Sequence, residues 1–276
     1  MTGPDDELAA FRALLGEIER SAGLACTNYK DGCLRRRIAV RMRASGSADF
    51  TAYTALLRRE PAELERLVAT LTINVTRLYR DAPVWDLLAE RVLPAMWAME
   101  RAALTVWSAG CASGEEAYTL AALLHRHAER VGAADRLRGA AVIGTDIDAD
   151  SLRAAAAGRF VPEALVEVPV ALRNRYFGAE PPHAATAELR SLVRFERRDL
   201  LLETPPARAM QLITCRNVLI YVERQAQEPV LQRFHDALVP GGFLVLGKVE
   251  TMLGPARALF EVVDQRQRIF RKRAAA

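Results

Sequence analysis

The hydrophobic pattern divides the chain into two regions with different periods. Between residues 5 and 72, apolar side chains recur at helical spacing, and Leu34, Ile38 and Met42 would form one stripe along a helix. Turn-forming residues divide this region at 21–23, 30–32, 45–47 and 60–61. The pattern predicts three to five short helices in a small, basic, all-α domain.

From residue 104, short apolar runs alternate with helical segments. The predicted strands cover residues 104–108, 141–145, 192–195, 210–214 and 243–247, with a final pair near 260–263 and 268–270. The predicted helices cover residues 115–131, 148–157 and 223–238. This alternation is typical of an α/β fold, so we expect a Rossmann-like, mainly parallel sheet with helices on both faces.

Three divisions of the chain follow from this change of period. Residues 1–72 form the helical domain, 73–100 form a linker and helix that contribute to the site, and 101–276 form the α/β domain. Pro94 should bend or end the helix predicted over 86–99. Four prolines interrupt the alternation at about 160–191, where we expect an inserted excursion that is helical near 170–176 and extended after it.

Composition excludes several classes of protein. The 276 residues are 51% hydrophobic and carry a net charge of +4, which fits a globular protein with a local basic patch but not a general nucleic-acid binder. The four cysteines have no zinc-ligand spacing, so no metal is expected. The sequence has neither a signal peptide nor an apolar run near eighteen residues, and we expect a cytoplasmic monomer that does not insert into a membrane.

The stretch from Thr105 to Thr119 has the pattern of a ligand-binding strand, turn and helix. Its small residues would let the backbone approach a ligand closely. Glu115 and Glu116 begin the following helix, where their negative charge would repel a phosphate. The sequence therefore favours a ligand with hydroxyls, an ammonium or a sulfonium.

Polar clusters follow four of the predicted strands, at 110–115, Asp146, Asp199 and 215–217. In a parallel sheet these clusters share one edge, which predicts a single site. Asp146 can accept hydrogen bonds from ribose hydroxyls, whereas Asp148 fits the role of a helix cap. A nicotinamide cofactor needs a free helix N-terminus for its pyrophosphate, so S-adenosylmethionine is the better fit.

Four motifs occur in order along the chain: Asn74-Val-Thr-Arg-Leu-Tyr-Arg80, Trp107-Ser-Ala-Gly-Cys-Ala-Ser-Gly-Glu115, Thr145-Asp-Ile-Asp148 and Cys215-Arg-Asn-Val-Leu-Ile-Tyr221. Together they resemble the CheR-type chemotaxis receptor methyltransferases. The resemblance implies an S-adenosylmethionine-dependent enzyme that esterifies glutamate side chains in the cytoplasmic helical bundle of chemoreceptors and releases S-adenosylhomocysteine. It also implies the cofactor-binding residues Asn74, Thr76, Arg80, Glu115, Asp146, Asp199, Leu200, Asn217 and Val218.

The same resemblance assigns Arg80 and Tyr221 to the transferring methyl group. A glutamate is ionised at neutral pH, with a reference pKa of about 4.3, so it can attack the methyl group without a general base. Arg80 would orient the incoming carboxylate. Tyr221 would donate a hydrogen bond or wall the methyl group, although an aromatic packing role is the alternative.

Five arginines in the helical domain form the candidate receptor-docking surface: Arg35, Arg36, Arg37, Arg41 and Arg43. The alternative is a solvated helix face. Two other functions remain open, namely methylation of another protein or a small carboxylate, and a non-catalytic module that senses the cofactor. Asp199 replaces an asparagine that is frequent in the family, and Lys248 replaces a histidine and is assigned no role.

Overall fold

The computed structural model describes residues 4–72, 74–99, 103–252 and 254–273. The chain forms two units. The helical unit comprises Met1–Ile73 and Tyr221–Ala226, and the sheet unit comprises Asn74–Ile220 and Gln227–Ala276.

Four α-helices make up most of the helical unit, within the predicted three to five. They are α1 (Pro4–Ala22), α2 (Asp31–Ser45), α3 (Phe50–Arg59) and α4 (Pro61–Leu71). Local chemistry sets their ends: Asp49 caps α3 by accepting a hydrogen bond from the Ala52 amide, and α2 ends at Gly46 in the left-handed conformation. Leu34 and Ile38 are buried as the stripe predicts.

A buried carboxylate joins three helices of this unit. Glu63 of α4 accepts hydrogen bonds from the guanidinium of Arg41 in α2 at 2.6–3.0 Å and from the hydroxyl of Tyr53 in α3 at 3.0 Å. Burial raises the pKa of Glu63, but the hydrogen bonds from Arg41 and Tyr53 outweigh it, and the pKa lies below its usual range. The helices are therefore held together by a charged contact as well as by their apolar stripe.

The sheet unit contains nine strands among the described residues: β1 (Thr105–Ala109), β2 (Ala141–Asp146), β3 (Arg159–Phe160), β4 (His183–Ala184), β5 (Val193–Arg197), β6 (Met210–Cys215), β7 (Leu238–Leu246), β8 (Phe260–Asp264) and β9 (Ile269–Lys272). Its helices are α5 (Ala82–Leu87), α6 (Leu93–Trp97), α7 (Glu115–Arg130), α8 (Ala149–Ala157), α9 (Val170–Tyr176), α10 (Ala187–Leu192) and most of α11 (Arg224–Ala237).

Seven strands form one sheet in the order β5-β2-β1-β6-β7-β9-β8. The first five are parallel, while β9 and β8 add antiparallel at one side. The predicted α/β fold with a mainly parallel sheet is confirmed. Strand β7 begins five residues earlier than predicted, because it pairs with β6 through a register shift that accommodates Gly241 and Gly242.

The helix predicted over 86–99 forms in three pieces. Helix α5 passes into a π-helical turn at Leu88–Val92 and then into α6, whose second residue is Pro94. Proline has no N–H to donate, and the wider turn before it lets the helix continue instead of ending. The excursion contains α9, as predicted, and β3 pairs with β4 as a small antiparallel sheet.

Among the described residues, no helix has the length and apolar character to cross a membrane.

The contacts of Glu63 with Arg41 and Tyr53 should stabilise the helical unit. We expect Glu63→Gln to lower the free energy of unfolding by about 2–4 kcal/mol, because it leaves the Arg41 guanidinium without its carboxylate. Denaturant unfolding of the full chain measures this loss. The stabilisation is present above the ordinary pKa range of a glutamate and is lost as the pH falls through the lowered pKa of Glu63.

The matched control is Glu65→Gln in the same helix, since Glu65 is exposed. Surface substitutions usually change stability by less than about 0.5 kcal/mol. Equal losses for the two variants would contradict the structural role given to Glu63.

Candidate active site

The strand order of the sheet reverses between β1 and β6. From β1 the chain builds outward through β2 and β5, and it then returns to the other side of β1 with β6 and β7. The register sets Ser108 of β1 level with Gly144 of β2 and with Thr214 of β6. The loops after these strands therefore leave the same edge, at the position where open α/β sheets bind ligands.

The loop after β1 approaches its neighbours closely. Gly110 has a φ of 72°, and a Cβ at this position would lie 2.5 Å from Cγ2 of Val218. Gly114 has a φ of 93° and immediately precedes α7, and a Cβ at this position would lie 2.8 Å from the Cβ of Ala155. Only glycine fits both requirements, so the turn is built for close approach.

Two carboxylates are held beside this loop. Glu115 is buried, and both of its carboxylate oxygens accept hydrogen bonds from Oγ of Ser113, at 3.0 and 2.8 Å. Asp146 accepts hydrogen bonds from the amides of Asp148 at 3.0 Å and Ala112 at 2.9 Å. Burial raises the pKa of both groups, and these hydrogen bonds act in the opposite direction. Each carboxylate would gain from a ligand that donates hydrogen bonds or carries positive charge.

Glu116, in contrast, is used internally. One oxygen accepts hydrogen bonds from Oγ of Ser108 at 2.9 Å and Oγ1 of Thr214 at 2.6 Å. The other lies 3.4 Å from Nη1 of Arg216. Of the two glutamates that begin α7, Glu116 therefore ties the helix to the sheet and only Glu115 is available to a ligand.

Arg80 lies in a turn that hydrogen bonds to other segments hold in place. Tyr79 and Asp81 on either side of it have φ of 60° and 63°, which is unfavourable for residues other than glycine. The Tyr79 amide donates to Oγ1 of Thr119 at 3.0 Å. Arg216 donates to the carbonyl of Arg80 at 3.0 Å and to the carboxylate of Asp81 at 2.8 Å. The turn is fixed by its surroundings.

The side chain of Arg80 extends toward the preceding segment, and its Nη1 donates to the Val75 carbonyl at 2.9 Å. In that segment, Asn74 donates through Nδ2 to Oδ2 of Asp148 at 2.6 Å. Asp148 caps α8, as the sequence predicts. Asn74 thus lies beside the carboxyl end of β2, and half-buried Thr76 follows two residues later.

The loop after β5 brings Asp199 to the same edge, because the Arg198 amide donates to the carbonyl of Asp146 at 2.9 Å. Oδ1 of Asp199 accepts a hydrogen bond from the Leu201 amide at 2.7 Å. Oδ2 is buried and has no hydrogen-bond partner in the described part of the chain. Burial raises the pKa of Asp199. The Leu200 carbonyl accepts a hydrogen bond from Arg233 at 2.9 Å.

The loop after β6 carries Asn217, with a φ of 61°, and Val218, which packs over Gly110. Buried Glu250 accepts hydrogen bonds from the backbone of this loop. Neither Glu250 nor Arg216 was singled out from the sequence. Arg216 directly follows the buried strand β6, and Glu250 lies four residues after the end of β7, so a charged residue soon after a buried strand is the signal that could have found each of them.

Lys248, to which the sequence assigned no role, has its Nζ 3.6 Å from a carboxylate oxygen of Asp81. It is therefore a cationic side chain at this turn, as are Arg80 and Arg216.

Tyr221 belongs to the helical unit, unlike the other predicted site residues of the loop after β6. Its carbonyl accepts a hydrogen bond from the Lys30 amide at 2.9 Å, and Tyr29 forms a β-bridge with Val222. The guanidinium carbon of Arg37 lies 5.9 Å from the centre of the Tyr221 ring. Tyr221 is half-buried within this unit.

The five arginines of the predicted docking surface separate into two groups. Arg41 is bound to Glu63, Arg37 donates to the Thr70 carbonyl, and Arg35 stacks 3.9 Å from the centre of the Phe11 ring. These contacts hold the helical unit together. Arg36 and Arg43 are exposed on α2, seven positions apart on one face.

These features fit S-adenosylmethionine. The unpartnered Asp199 oxygen and the carboxylate of Asp146 offer acceptors for hydroxyl groups, while Glu115 offers a negative charge to an ammonium group. The glycine-lined turn leaves room for a ligand against the backbone. No group of three potential metal ligands occurs among the residues that the structure describes.

Comparison with known proteins agrees with this geometry. The family model described as "CheR methyltransferase, SAM binding domain" matches residues 74–269, and the "CheR methyltransferase, all-alpha domain" matches residues 9–72. A "Chemotaxis protein methyltransferase" of Listeria innocua is 32% identical over 87% of this chain and 88% of its own length. An uncharacterised 104.1 kDa protein of Rhodobacter capsulatus is 37% identical over 88% of this chain, which spans only 25% of that protein.

Among solved structures, a TehB-like S-adenosylmethionine-dependent methyltransferase of Corynebacterium glutamicum is similar, with 17% identity and a TM-score of 0.38 over 69% of this chain and 93% of the other. The two family matches together span nearly all of the described residues in both units. The chain belongs to the CheR methyltransferase family and is an S-adenosylmethionine-dependent methyltransferase.

Proposed function

We propose that this protein methylates the side-chain carboxylates of glutamates in chemoreceptors and forms glutamate methyl esters. The observation that carries the proposal is the set of buried carboxylates at one sheet edge, next to a turn that contains Arg80. The relative from Listeria innocua, which is named a chemotaxis protein methyltransferase, supports the choice of acceptor. We assign the reaction to the cytoplasm and to a monomer of this chain.

The cofactor pocket comprises the residues that the sequence predicted at this edge: Asn74, Thr76, Arg80, Glu115, Asp146, Asp199, Leu200, Asn217 and Val218. Asp146 binds the ribose hydroxyls, because it is the last residue of β2 and its carboxylate lies at the carboxyl edge of the sheet. Glu115 binds the ammonium group of the methionine end, and the residues after β5 and β6 line the remaining pocket. When bound, S-adenosylmethionine would supply a methyl group attached to a positively charged sulfur, and the neutral thioether that remains is a good leaving group.

The acceptor glutamate needs no general base from this chain. Its ionised oxygen would form the bond to the methyl carbon as the carbon–sulfur bond breaks, and no proton would be transferred. Catalysis consists mainly of alignment, which can supply roughly 7–11 kcal/mol in favourable cases. The fixed turn at residues 79–81 gives Arg80 the rigid backbone that such alignment requires. Tyr221 donates a hydrogen bond to the acceptor or walls the methyl group.

Arg36 and Arg43 form the docking surface for the receptor's helical bundle. They are the exposed members of the arginine set, and Val40 lies between them on the same face with 45% of its surface exposed. Two cations around an aliphatic side chain complement an acidic helix with apolar residues between its glutamates. The other three arginines contribute indirectly, by holding α2 in its unit.

The cofactor assignment predicts weaker binding by two variants. Glu115→Gln and Asp146→Asn should each raise the Kd for S-adenosylhomocysteine about 10- to 100-fold, since each removes a charge-assisted hydrogen bond worth about 1.5–3 kcal/mol. Isothermal titration calorimetry measures the change. Glu129→Gln is the matched control, because Glu129 lies at the far end of the same helix and binds Arg175 and Tyr176. An unaltered Kd for Glu115→Gln would show that the central motif was misinterpreted.

The catalytic assignment predicts that Arg80→Ala loses methyl transfer by at least about 100-fold, because the acceptor loses its orienting cation. The assay follows a radiolabelled methyl group into receptor cytoplasmic fragments and then releases it with alkali, as a methyl ester requires. Tyr221→Phe separates the two roles of Tyr221, since only hydrogen-bond donation depends on the hydroxyl. Label that resists alkali would exclude ester formation, and tight cofactor binding without any transfer would favour a sensing module.

The docking assignment predicts that the double charge reversal Arg36→Glu and Arg43→Glu raises the KM for receptor fragments about tenfold or more, because the surface then repels an acidic helix. Binding of S-adenosylhomocysteine should not change. The matched control reverses Arg12 and Arg59, two other exposed arginines of the helical unit. A similar KM for both double variants would refute a specific docking surface.

A further inference from the structure

Glu250 is a buried carboxylate that does not pair with a cation in the described residues. It follows β7 in a short loop and accepts four backbone hydrogen bonds. One oxygen receives the amides of Gly247 and Asn217, the latter at 3.1 Å. The other receives the amides of Val218 at 2.9 Å and Ile220 at 3.3 Å. A single side chain thus satisfies three of the four amides from residue 217 to residue 220.

The segment that Glu250 holds contains a left-handed residue. Asn217 has a φ of 61°, a conformation that asparagine adopts more readily than most residues other than glycine. The Asn217 and Val218 amides both donate to the carboxylate, so the hydrogen bonds to Glu250 stabilise this conformation. The loop after β6 therefore depends on a residue that is contributed by the loop after β7.

The same segment reaches the central turn. Val218 packs closely over Gly110, and a Cβ added at Gly110 would lie only 2.5 Å from Cγ2 of Val218. The turn at Gly110 leads directly to Ser113 and Glu115. A displacement of residues 217–218 would therefore change one wall of the cofactor pocket and the packing against the turn that carries Glu115.

We infer that Glu250 is a positioning residue for the cofactor pocket, which sets the backbone of Asn217 and Val218 from outside the site. This inference rests on the proposed function, in which these two residues line the pocket. A carboxylate suits the role because it accepts hydrogen bonds on both oxygens and donates none. A glutamine would present its N–H groups to two backbone N–H groups, which must then separate from it.

The experiment compares Glu250→Gln with the wild-type full chain. We expect the Kd for S-adenosylhomocysteine and the KM for S-adenosylmethionine to rise about tenfold or more, while kcat at saturating cofactor falls less than about threefold. Glu250 accepts its hydrogen bonds from the loop after β6, whereas the Arg80 side chain donates to the Val75 carbonyl, so we expect the alignment of the acceptor to be retained once the cofactor is bound. Thermal unfolding without ligand is recorded for every variant.

A second variant tests the same geometry with Glu250 retained. In Gly247→Ala, the added Cβ would lie 2.7 Å from Oε2 of Glu250 and 2.8 Å from the Asn217 amide nitrogen. It should weaken cofactor binding in the same way. The control is Gln211→Met, which removes the buried acceptor of the Thr105 amide at the opposite end of the sheet. This control should lower the unfolding temperature without changing the Kd.

The outcomes separate the inference from the proposed function. If the wild type binds S-adenosylhomocysteine and both Glu250→Gln and Gly247→Ala bind it equally well, Glu250 is a structural residue and the inference is wrong. If Gln211→Met weakens binding as much as Glu250→Gln, the effect is general destabilisation and the inference is again wrong. If the wild type itself does not bind S-adenosylhomocysteine, the proposed function fails and the inference fails with it.

Discussion

The proposed site depends on the buried guanidinium of Arg216, which needs carboxylate partners to offset the cost of its burial. A buried charge is costly unless it is paired and hydrogen-bonded. Arg216 meets this requirement with the carboxylates of Asp81 and Glu116, and its guanidinium carbon lies 4.9 Å from the centre of the Trp85 ring. Arg216 lies in the loop after β6, and its partners come from the turn that contains Arg80, the start of α7 and helix α5. Satisfying one cation therefore fixes three separate segments around the sheet edge.

The carboxylates at this edge show the complementary situation. Asp146, Asp199, Glu115 and Glu250 all have their pKa raised by burial, yet they are held by different partners. Glu250 is satisfied by the protein's own backbone, whereas Asp199 keeps one buried oxygen without a partner in the described residues. Carboxylates whose oxygens are all hydrogen-bonded within the protein have a structural role, whereas a buried carboxylate oxygen without a partner is a candidate for binding a ligand.

The helical unit divides its charges in the same manner. Arg41 and Glu63 form an interhelical contact with Tyr53, and Arg35 and Arg37 stack on aromatic rings or bind a carbonyl. Arg36 and Arg43 remain in solvent. A basic helix is thus partly a structural element, and only its exposed face is available to a partner.

The sequence by itself determined the fold class and the edge of the sheet at which the polar clusters gather, since the period of the apolar residues and the position of polar clusters after strands depend on local order along the chain. It also identified Asp148 as a cap. It could not show that Glu116 is bound by Ser108 and Thr214, or that Arg41 is bound to Glu63, because these partners lie far from each residue along the chain. The early start of β7 depended likewise on its pairing with β6. The hydrogen bonds that Glu250 accepts depended on the loop after β6. Only the tertiary structure decided these points, because burial and hydrogen-bond partners are set by segments that are distant in the sequence.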